Sequence, residues 1–290
     1  GASTDGVSGS VKLTTGAGDG GAAGNIELTV GEGNTGVGGH LILSSGKSTD
    51  NNSGDVLIGS HSSEGGHGGD VKLTVGTGDV GAGGSVTITA GQTTSLSDNE
   101  FGSTGGRIDI TSGASTKSSS GHIVISTPNA AKFADATTAT GGISGDIILS
   151  TGNSTDGPSG GLYFGTGSGD GGSGGKIDMI VGSGNHGTGG AVTITAGATT
   201  TSNGDAGGGV TITTGKSAKT SSGDLIMKTD AGGTAGISGK VVLSTGKATG
   251  TGPSGDVWIG SGQSTGGHGG DVVITVGDGN TGVGGHLILS

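Results

Sequence analysis

The chain alternates apolar and polar residues in short runs that recur at regular intervals. One unit, Gly-x-apolar-x-apolar, occurs eighteen times, and all thirty-six of its apolar positions hold Val, Ile, Leu, Met or Phe. The first apolar residues of the units are Val11, Ile26, Leu41, Val56, Val71, Val86, Ile108, Ile123, Ile147, Leu162, Ile177, Val192, Val210, Leu225, Val241, Val257, Val272 and Leu287. Alternation over about five residues, rich in β-branched side chains and bounded by Gly, predicts strands and not helices.

The spacing of the units predicts how the strands are arranged. Most units follow each other after 15 residues, which leaves too few residues for a helical crossover between parallel strands. A coil that advances by one strand spacing per turn accommodates this period, and the apolar residues then form continuous ladders. The predicted fold is all-β: a single parallel β-solenoid (β-helix) of about 18 coils with 15 residues per coil.

A longer period of six coils is superimposed on the short one. Val56, Leu162 and Val257 begin matching coils that read apolar, bulky, apolar, Gly. Longer spacings place insertions near residues 91–104, 127–143 and 197–208. Gly33–Ser44 recurs identically at Gly279–Ser290. We therefore expect residues 1–290 to form one continuous solenoid that is a segment of a longer array.

Composition argues against an enzyme. Gly accounts for 76 of the 290 residues, 28% of the residues are hydrophobic and 2% are aromatic, which is too little to build the thick core that surrounds an ordinary active-site pocket. No Ser-His-Asp set and no pair of carboxylates stands out from the background of polar residues. The absence of Cys excludes disulfides and thiolate chemistry.

Charge and hydropathy narrow the range of partners. The formal net charge is −11, and because the Lys and Arg residues are scattered singly, no basic surface is available for nucleic acid. No apolar run approaches the ~20 residues of a membrane helix, so no membrane insertion is expected. The acidic surface leaves diffuse calcium binding open as an interaction.

The residue between the two apolar residues of each unit points outward and forms a column of its own. This column is apolar in two groups of consecutive coils, Val124, Ile148 and Tyr163, and then Ile226, Val242 and Trp258. An exposed apolar patch of this kind marks an interface, so these six residues are candidates for lateral contact between rods. The alternative is that the insertion before Tyr163, which contains Phe133, folds back over the first group.

Other motifs have simpler explanations. The many G-x-G-x-x-G matches recur in every coil and are interpreted as corners, while His67 and His268 have Ser173 at the matching place, so no cofactor and no metal site are expected. Asn51 and Asn153 begin N-glycosylation sequons and are candidate glycan sites. Asp or Asn recurs eight residues after the first apolar residue, as at Asp19; these residue types tolerate the left-handed region and form Asx-turns.

By its Gly-x-apolar-x-apolar units the whole chain resembles the large Gly/Ser/Thr-rich solenoid proteins of microbial and algal surfaces, which serve as adhesins, appendages and extracellular fibres. The resemblance implies a non-enzymatic structural protein outside the cell or at its surface. Its partner would be itself, through end-to-end stacking of coils and lateral pairing, with glycans as decoration. The alternative is a surface-binding solenoid module, for ice, glycan or mineral, or an adhesin stalk. The Thr87-Ile88-Thr89 motif resembles the ice-facing ladders of antifreeze solenoids, but Lys72 and Ile148 interrupt it.

Overall fold

The computed structural model describes residues 8–94, 104–130, 142–200 and 205–289. In these ranges no residues form a hydrogen-bonded helix or strand, so the regularity lies in a local geometry that repeats with the sequence unit. The chain divides into two units, Gly1–Leu149 and Ser150–Ser290. The parallel β-solenoid and its extent over the whole chain stay predictions, and much of the three insertions lies outside the described residues.

Outward side chains within one unit lie on the same side of the chain. Lys72 Nζ is 3.1 Å from Asp70 Oδ2, Arg107 Nη2 is 2.8 Å from Asp109 Oδ2, and Lys176 Nζ is 2.6 Å from Asp178 Oδ2. The partners of each pair are at positions i and i+2, and side chains with that spacing share a face when the backbone is extended. The ion pairs themselves are well exposed and contribute little to stability. They do place the outward residues of these three units on one face.

A close contact joins each unit to the next. We call the Gly that lies two residues before the first apolar residue of a unit its junction glycine. The clasp residue belongs to the preceding unit and lies four residues after the first apolar residue of that unit. If a Cβ atom were added to any junction glycine, the side chain closest to it would be that of the clasp residue. The pairs are Thr15 and Gly24, Val30 and Gly39, Ser45 and Gly54, Ser60 and Gly69, Val75 and Gly84, Ala90 and Gly106, Ser112 and Gly121, Thr127 and Gly145, Thr151 and Gly160, Thr166 and Gly175, Val181 and Gly190, Ala196 and Gly208, Thr214 and Gly223, Thr229 and Gly239, Thr245 and Gly255, Ser261 and Gly270, and Val276 and Gly285.

At the four junctions whose clasp residue is Val, the contact leaves no room for a Cβ on the glycine. A Cβ on Gly39, Gly84, Gly190 or Gly285 would lie 2.5–2.7 Å from Cγ1 of its clasp Val, which is nine residues earlier in the chain. A contact that short requires the Val or the backbone to move. The clasp position accordingly holds only Ser, Thr, Val or Ala, which are small enough to lie against bare backbone.

Hydrogen bonds close the loop at the same junctions. The hydroxyls of Thr15, Ser60, Thr166 and Thr229 donate to the carbonyl oxygens of their junction glycines over 2.6–3.2 Å. At other junctions the amide of the glycine donates to the carbonyl of the residue after the clasp, as from Gly106 to Gly91 at 2.8 Å and from Gly121 to Gly113 at 2.9 Å. Hydrogen bonds of these two kinds tie the two ends of the loop at ten of the seventeen junctions.

Two kinds of turn recur among the loops. In the first kind, the residue after Asp19 or Asp170 is a glycine in the left-handed region, with φ of 77° at both Gly20 and Gly171. Among the described residues only glycines have a positive φ, so these Asp residues lie next to the left-handed position and do not occupy it. In the second kind, Ser217 Oγ accepts hydrogen bonds from the amides of Lys219 and Thr220, and Ser115 does the same for two amides of its loop.

Solvent exposure is graded across the unit, and no described residue is fully buried. The first apolar residues from Ile26 onward are 49–65% exposed, the second apolar residues are 57–86% exposed, and the apolar residues of the outward column are 67–91% exposed. Val11, which has no described junction before it, is 91% exposed. The partial cover of a first apolar residue therefore comes with the junction that precedes it.

Candidate assembly surface

The six predicted interface residues all lie open to solvent. Val124, Ile148 and Tyr163 are 81%, 80% and 91% exposed, and Ile226, Val242 and Trp258 are 67–90% exposed. The insertion that was expected as an alternative cover for the first group falls largely at residues 131–141, outside the described residues. The structure thus leaves both groups as exposed apolar surface within the described chain.

Four further apolar residues occupy the outward column and were missed by the sequence analysis. Ile42 and Leu57 occupy it in consecutive units of the first half of the chain and are 80% and 91% exposed, and Val273 and Ile288 occupy it in the last two units and are 76% and 81% exposed. The signal for Leu57 was present in the sequence, because the bulky position of the Val56 unit had already been aligned with Tyr163 and Trp258. Inspection of the residue between the two apolar residues in every unit would have identified them.

Three units combine a large exposed side chain with a glycine two residues later that has open space around it. Leu57 is followed two residues later by Gly59, Tyr163 by Gly165, and Trp258 by Gly260. A Cβ built on any of these three glycines would meet nothing within 4 Å. We call the large residue the knob and the glycine the gap. Residues two apart in an extended segment share a face and are separated by about 6.6 Å along it.

The pairing of knob and gap is specific to these three units. Gly occurs three residues after the first apolar residue nowhere else among the eighteen units. The other apolar outward residues have Ser, Thr or Lys there, as in Val124 with Ser126 and Ile226 with Lys228. The gap therefore accompanies Leu57, Tyr163 and Trp258 and not apolar outward residues in general.

The ring of Tyr163 bends toward the beginning of its unit. A Cβ on Gly161 would lie 2.9 Å from both Cε2 and the hydroxyl oxygen of Tyr163. The ring consequently covers Gly161 and leaves Gly165, on its other side, open. The knob and the gap are thus both free on the outer face of this unit.

Potential metal ligands do not cluster in the described part of the chain. Within the described ranges no three His, Asp or Glu side chains come close enough to hold a metal ion, and these ranges contain no helix suited by length and apolarity to cross a membrane. Asn51 and Asn153 are exposed, and the backbone amide of Asn51 donates to Ser48 Oγ at 2.9 Å in its loop. Their glycosylation stays a prediction.

Comparisons with known proteins add no assignment. The chain matches no family model, and neither the curated proteins nor the solved structures include a significant match.

Proposed function

We propose that the chain is a non-enzymatic structural protein that forms or extends an extracellular filament or surface appendage through stacked β-coils. The observation that carries the proposal is the repetition of exposed apolar columns in unit after unit. A chain that exposes so many Val, Ile and Leu side chains to water gains free energy when they are covered, at about 25 cal/mol per Å² of apolar surface removed. Surfaces that repeat along the chain are best covered by equally periodic surfaces.

The junctions support the same proposal. At every junction the clasp residue lies against the junction glycine, so outside the three insertions a loop is closed by residues nine or ten apart, as in Thr15 with Gly24. The apolar residues remain half exposed after this local step. Units with locally closed loops and uncovered apolar columns are suited to stacking, in which neighbours cover each other as in other repeat proteins.

The test is assembly by the purified chain. At rising protein concentration we expect uniform filaments by electron microscopy, and aligned filaments should give a reflection near ~4.8 Å, the spacing of stacked strands. Ile194→Asp places a charge in the apolar ladder and should raise the concentration needed for assembly at least about tenfold. Thr193→Asp adds the same charge on the outward side of the same unit and should change it much less.

A chain that stays dispersed at all concentrations would contradict the proposal. Binding of that dispersed chain to ice, to a polysaccharide or to a mineral surface would instead support the surface-binding alternative. Assembly that is equally insensitive to both substitutions would show that the apolar ladder does not drive it.

A further inference from the structure

We propose that Asp19 and Asp170 are sites at which the chain modifies itself, each converting to isoaspartate through a succinimide formed with the glycine that follows it. The inference concerns the loops between units and does not depend on filament formation. It rests on the position of these two Asp-Gly bonds at the open tips of two loops that have the same structure.

The two loops agree in sequence and in closure. Residues 15–24 read TGAGDGGAAG, and residues 166–175 read TGSGDGGSGG. Thr15 Oγ1 donates to the carbonyl oxygen of Gly24 at 3.0 Å, and Thr166 Oγ1 donates to that of Gly175 at 3.1 Å. The clasp residue therefore holds together the two ends of each loop.

Each loop also folds back on the glycine just before its Asp. A Cβ on Gly18 would lie 2.5 Å from the carbonyl oxygen of Gly21 and 2.7 Å from that of Ala22. The same two contacts recur at Gly169, at 2.8 Å and 2.6 Å. The Asp-Gly bond lies between the residues that make these contacts, so it forms the tip of the loop.

The groups that react are unhindered at both tips. Gly20 and Gly171 have φ of 77°, and a Cβ on either glycine would meet nothing within 4 Å. Asp19 and Asp170 are exposed, and within the described ranges their carboxylates take part in no hydrogen bond or ion pair. The amides of the two glycines donate no hydrogen bond there either. No competing contact holds the carboxylate away from the amide nitrogen.

The required approach is present at another aspartate of the chain. The amide of Ala231 donates to Oδ1 of Asp230 at 2.8 Å, so the carboxylate of a loop Asp lies over the amide of the next residue. Reacting groups held at contact distance are the starting geometry for ring closure. After Asp19 and Asp170 the next residue is Gly, which places no methyl group beside the attacking nitrogen.

The reaction needs only the chain and water. The amide nitrogen of Gly20 attacks Cγ of the protonated Asp19 side chain, so that the N–Cγ bond forms and the Cγ–OH bond breaks. The hydroxyl leaves with the amide proton as water. Water then opens the succinimide: cleavage of the original peptide bond leaves the chain linked through Cγ as isoaspartate, and cleavage of the new bond restores Asp. The mass of the chain is unchanged, and nothing is oxidised or reduced.

Isoaspartate changes the loop that contains it. The new linkage runs through Cβ and Cγ, so the main chain between Thr15 and Gly24 becomes longer by one carbon atom. Because the clasp fixes the two ends of this loop, the extra length must be taken up at the tip. The modification thus acts at the place where the loop folds back on Gly18.

Two other described Asp-Gly bonds are less open. Asp278 precedes Gly279, where a Cβ would lie 2.9 Å from the carbonyl oxygen of Val283. Asp156 precedes Gly157, whose backbone is restricted toward the extended region by the Pro that follows it. We therefore expect the bonds at the two loop tips to react first.

The experiment is ageing of the full chain at physiological temperature and mildly acidic pH. Peptides from the aged chain are separated by chromatography, and isoaspartate is identified by electron-transfer dissociation and by labelling with an isoaspartyl-specific methyltransferase. We expect isoaspartate at Asp19 and Asp170 to accumulate at least about tenfold faster than at Asp79. Asp79 is the matched internal control, because it has the same place in its loop but is followed by Val80.

Two kinds of variant test the chemistry. Asp19→Glu and Asp170→Glu keep the charge but cannot close the same ring, so each should abolish the product at its own position. Val80→Gly removes the branched side chain beside the attacking nitrogen and should speed conversion of Asp79 at least about tenfold. Val80 is 87% exposed, so this substitution removes no buried contact. Circular dichroism of every variant checks that the repeats are unchanged.

Each outcome decides for or against the inference. Conversion of Asp79 in the original chain as fast as at the loop tips would overturn it, and so would equal rates at Asp156 and Asp278. An aged chain that keeps Asp at both tips, while a synthetic peptide of residues 15–24 converts, would show that the loops protect these bonds and would overturn it as well. Filament formation is measured separately, so the proposed function can fail while this inference holds, and the reverse.

Discussion

A Cβ atom on Gly39 would lie 2.5 Å from Cγ1 of Val30. The two residues are nine apart in the sequence, on either side of a loop, and the contact recurs wherever Val occupies the clasp position. These clasp valines are the least exposed large apolar residues in the described part of the chain, at 40–45%. The junction is thus the most closely packed place in each unit.

Replacing a junction glycine should destabilise the chain. Gly39→Ala introduces a methyl group where Val30 already lies, and we expect a loss of about 1–3 kcal/mol in the free energy of unfolding. Gly31→Ala is the matched control, because Gly31 has open space around its Cβ position and no positive φ. It should be neutral or stabilise by up to about 1 kcal/mol through the unfolded state. Urea denaturation followed by circular dichroism measures both, and equal effects would contradict the junction contact.

A second substitution should relieve the first. Shortening the clasp residue in the double variant Val30→Ala, Gly39→Ala removes the methyl that the new Cβ meets, so its stability should lie closer to the original than that of Gly39→Ala alone. The chain has a natural precedent in Ala196 and Gly208, where a Cβ would stand at an ordinary 3.6 Å. Gly208→Ala should accordingly be milder than Gly39→Ala. A double-mutant cycle in urea measures the coupling, which we expect to be about 1 kcal/mol.

The serine loops should depend on their side-chain acceptors. Ser217→Ala removes the hydroxyl that accepts from the amide of Thr220 at 2.9 Å and from that of Lys219 at 3.3 Å. Since the loop is exposed, the cost should be modest, about 0.5–1 kcal/mol. Hydrogen exchange at the amide of Thr220 should become several-fold faster. Ser217→Asn supplies another side-chain acceptor for the turn and should keep the slower exchange, so equally fast exchange in both variants would show that the hydroxyl is not what holds the loop.

The single tryptophan should report assembly. Trp258 is 90% exposed, so the dispersed chain should fluoresce at long wavelength and be quenched readily by acrylamide. If filaments form through the predicted lateral contact at Trp258, the emission should move to shorter wavelength and quenching should fall. In a variant with Trp258→Leu and Tyr163→Trp the fluorescent probe is at position 163, and its emission should change in the same way. Emission that stays constant across the assembly concentration would place Trp258 outside the contact.

The alternation of the units could be predicted from the sequence because it is a local property. Side chains two residues apart share a face of any extended chain, and the ion pairs of Lys72 and Lys176 show this arrangement. Leu57 could have been found in the same way as Tyr163. The stacking of one unit on another is different, because it depends on hydrogen bonds between strands fifteen residues apart, and it stays a prediction.

The sequence by itself determined the period, the invariance of Gly before each apolar pair, and which residues share the outward face, since these follow from spacing and from the geometry of an extended backbone. Only the tertiary structure decided which junction glycines lie against a Val that leaves no room for a Cβ, and that the glycines after Leu57, Tyr163 and Trp258 have open space around them. The physical reason is that the path of a loop brings a clasp residue to a glycine nine or more residues away. Neither that path nor the space left around a glycine is specified by the spacing of residues along the chain.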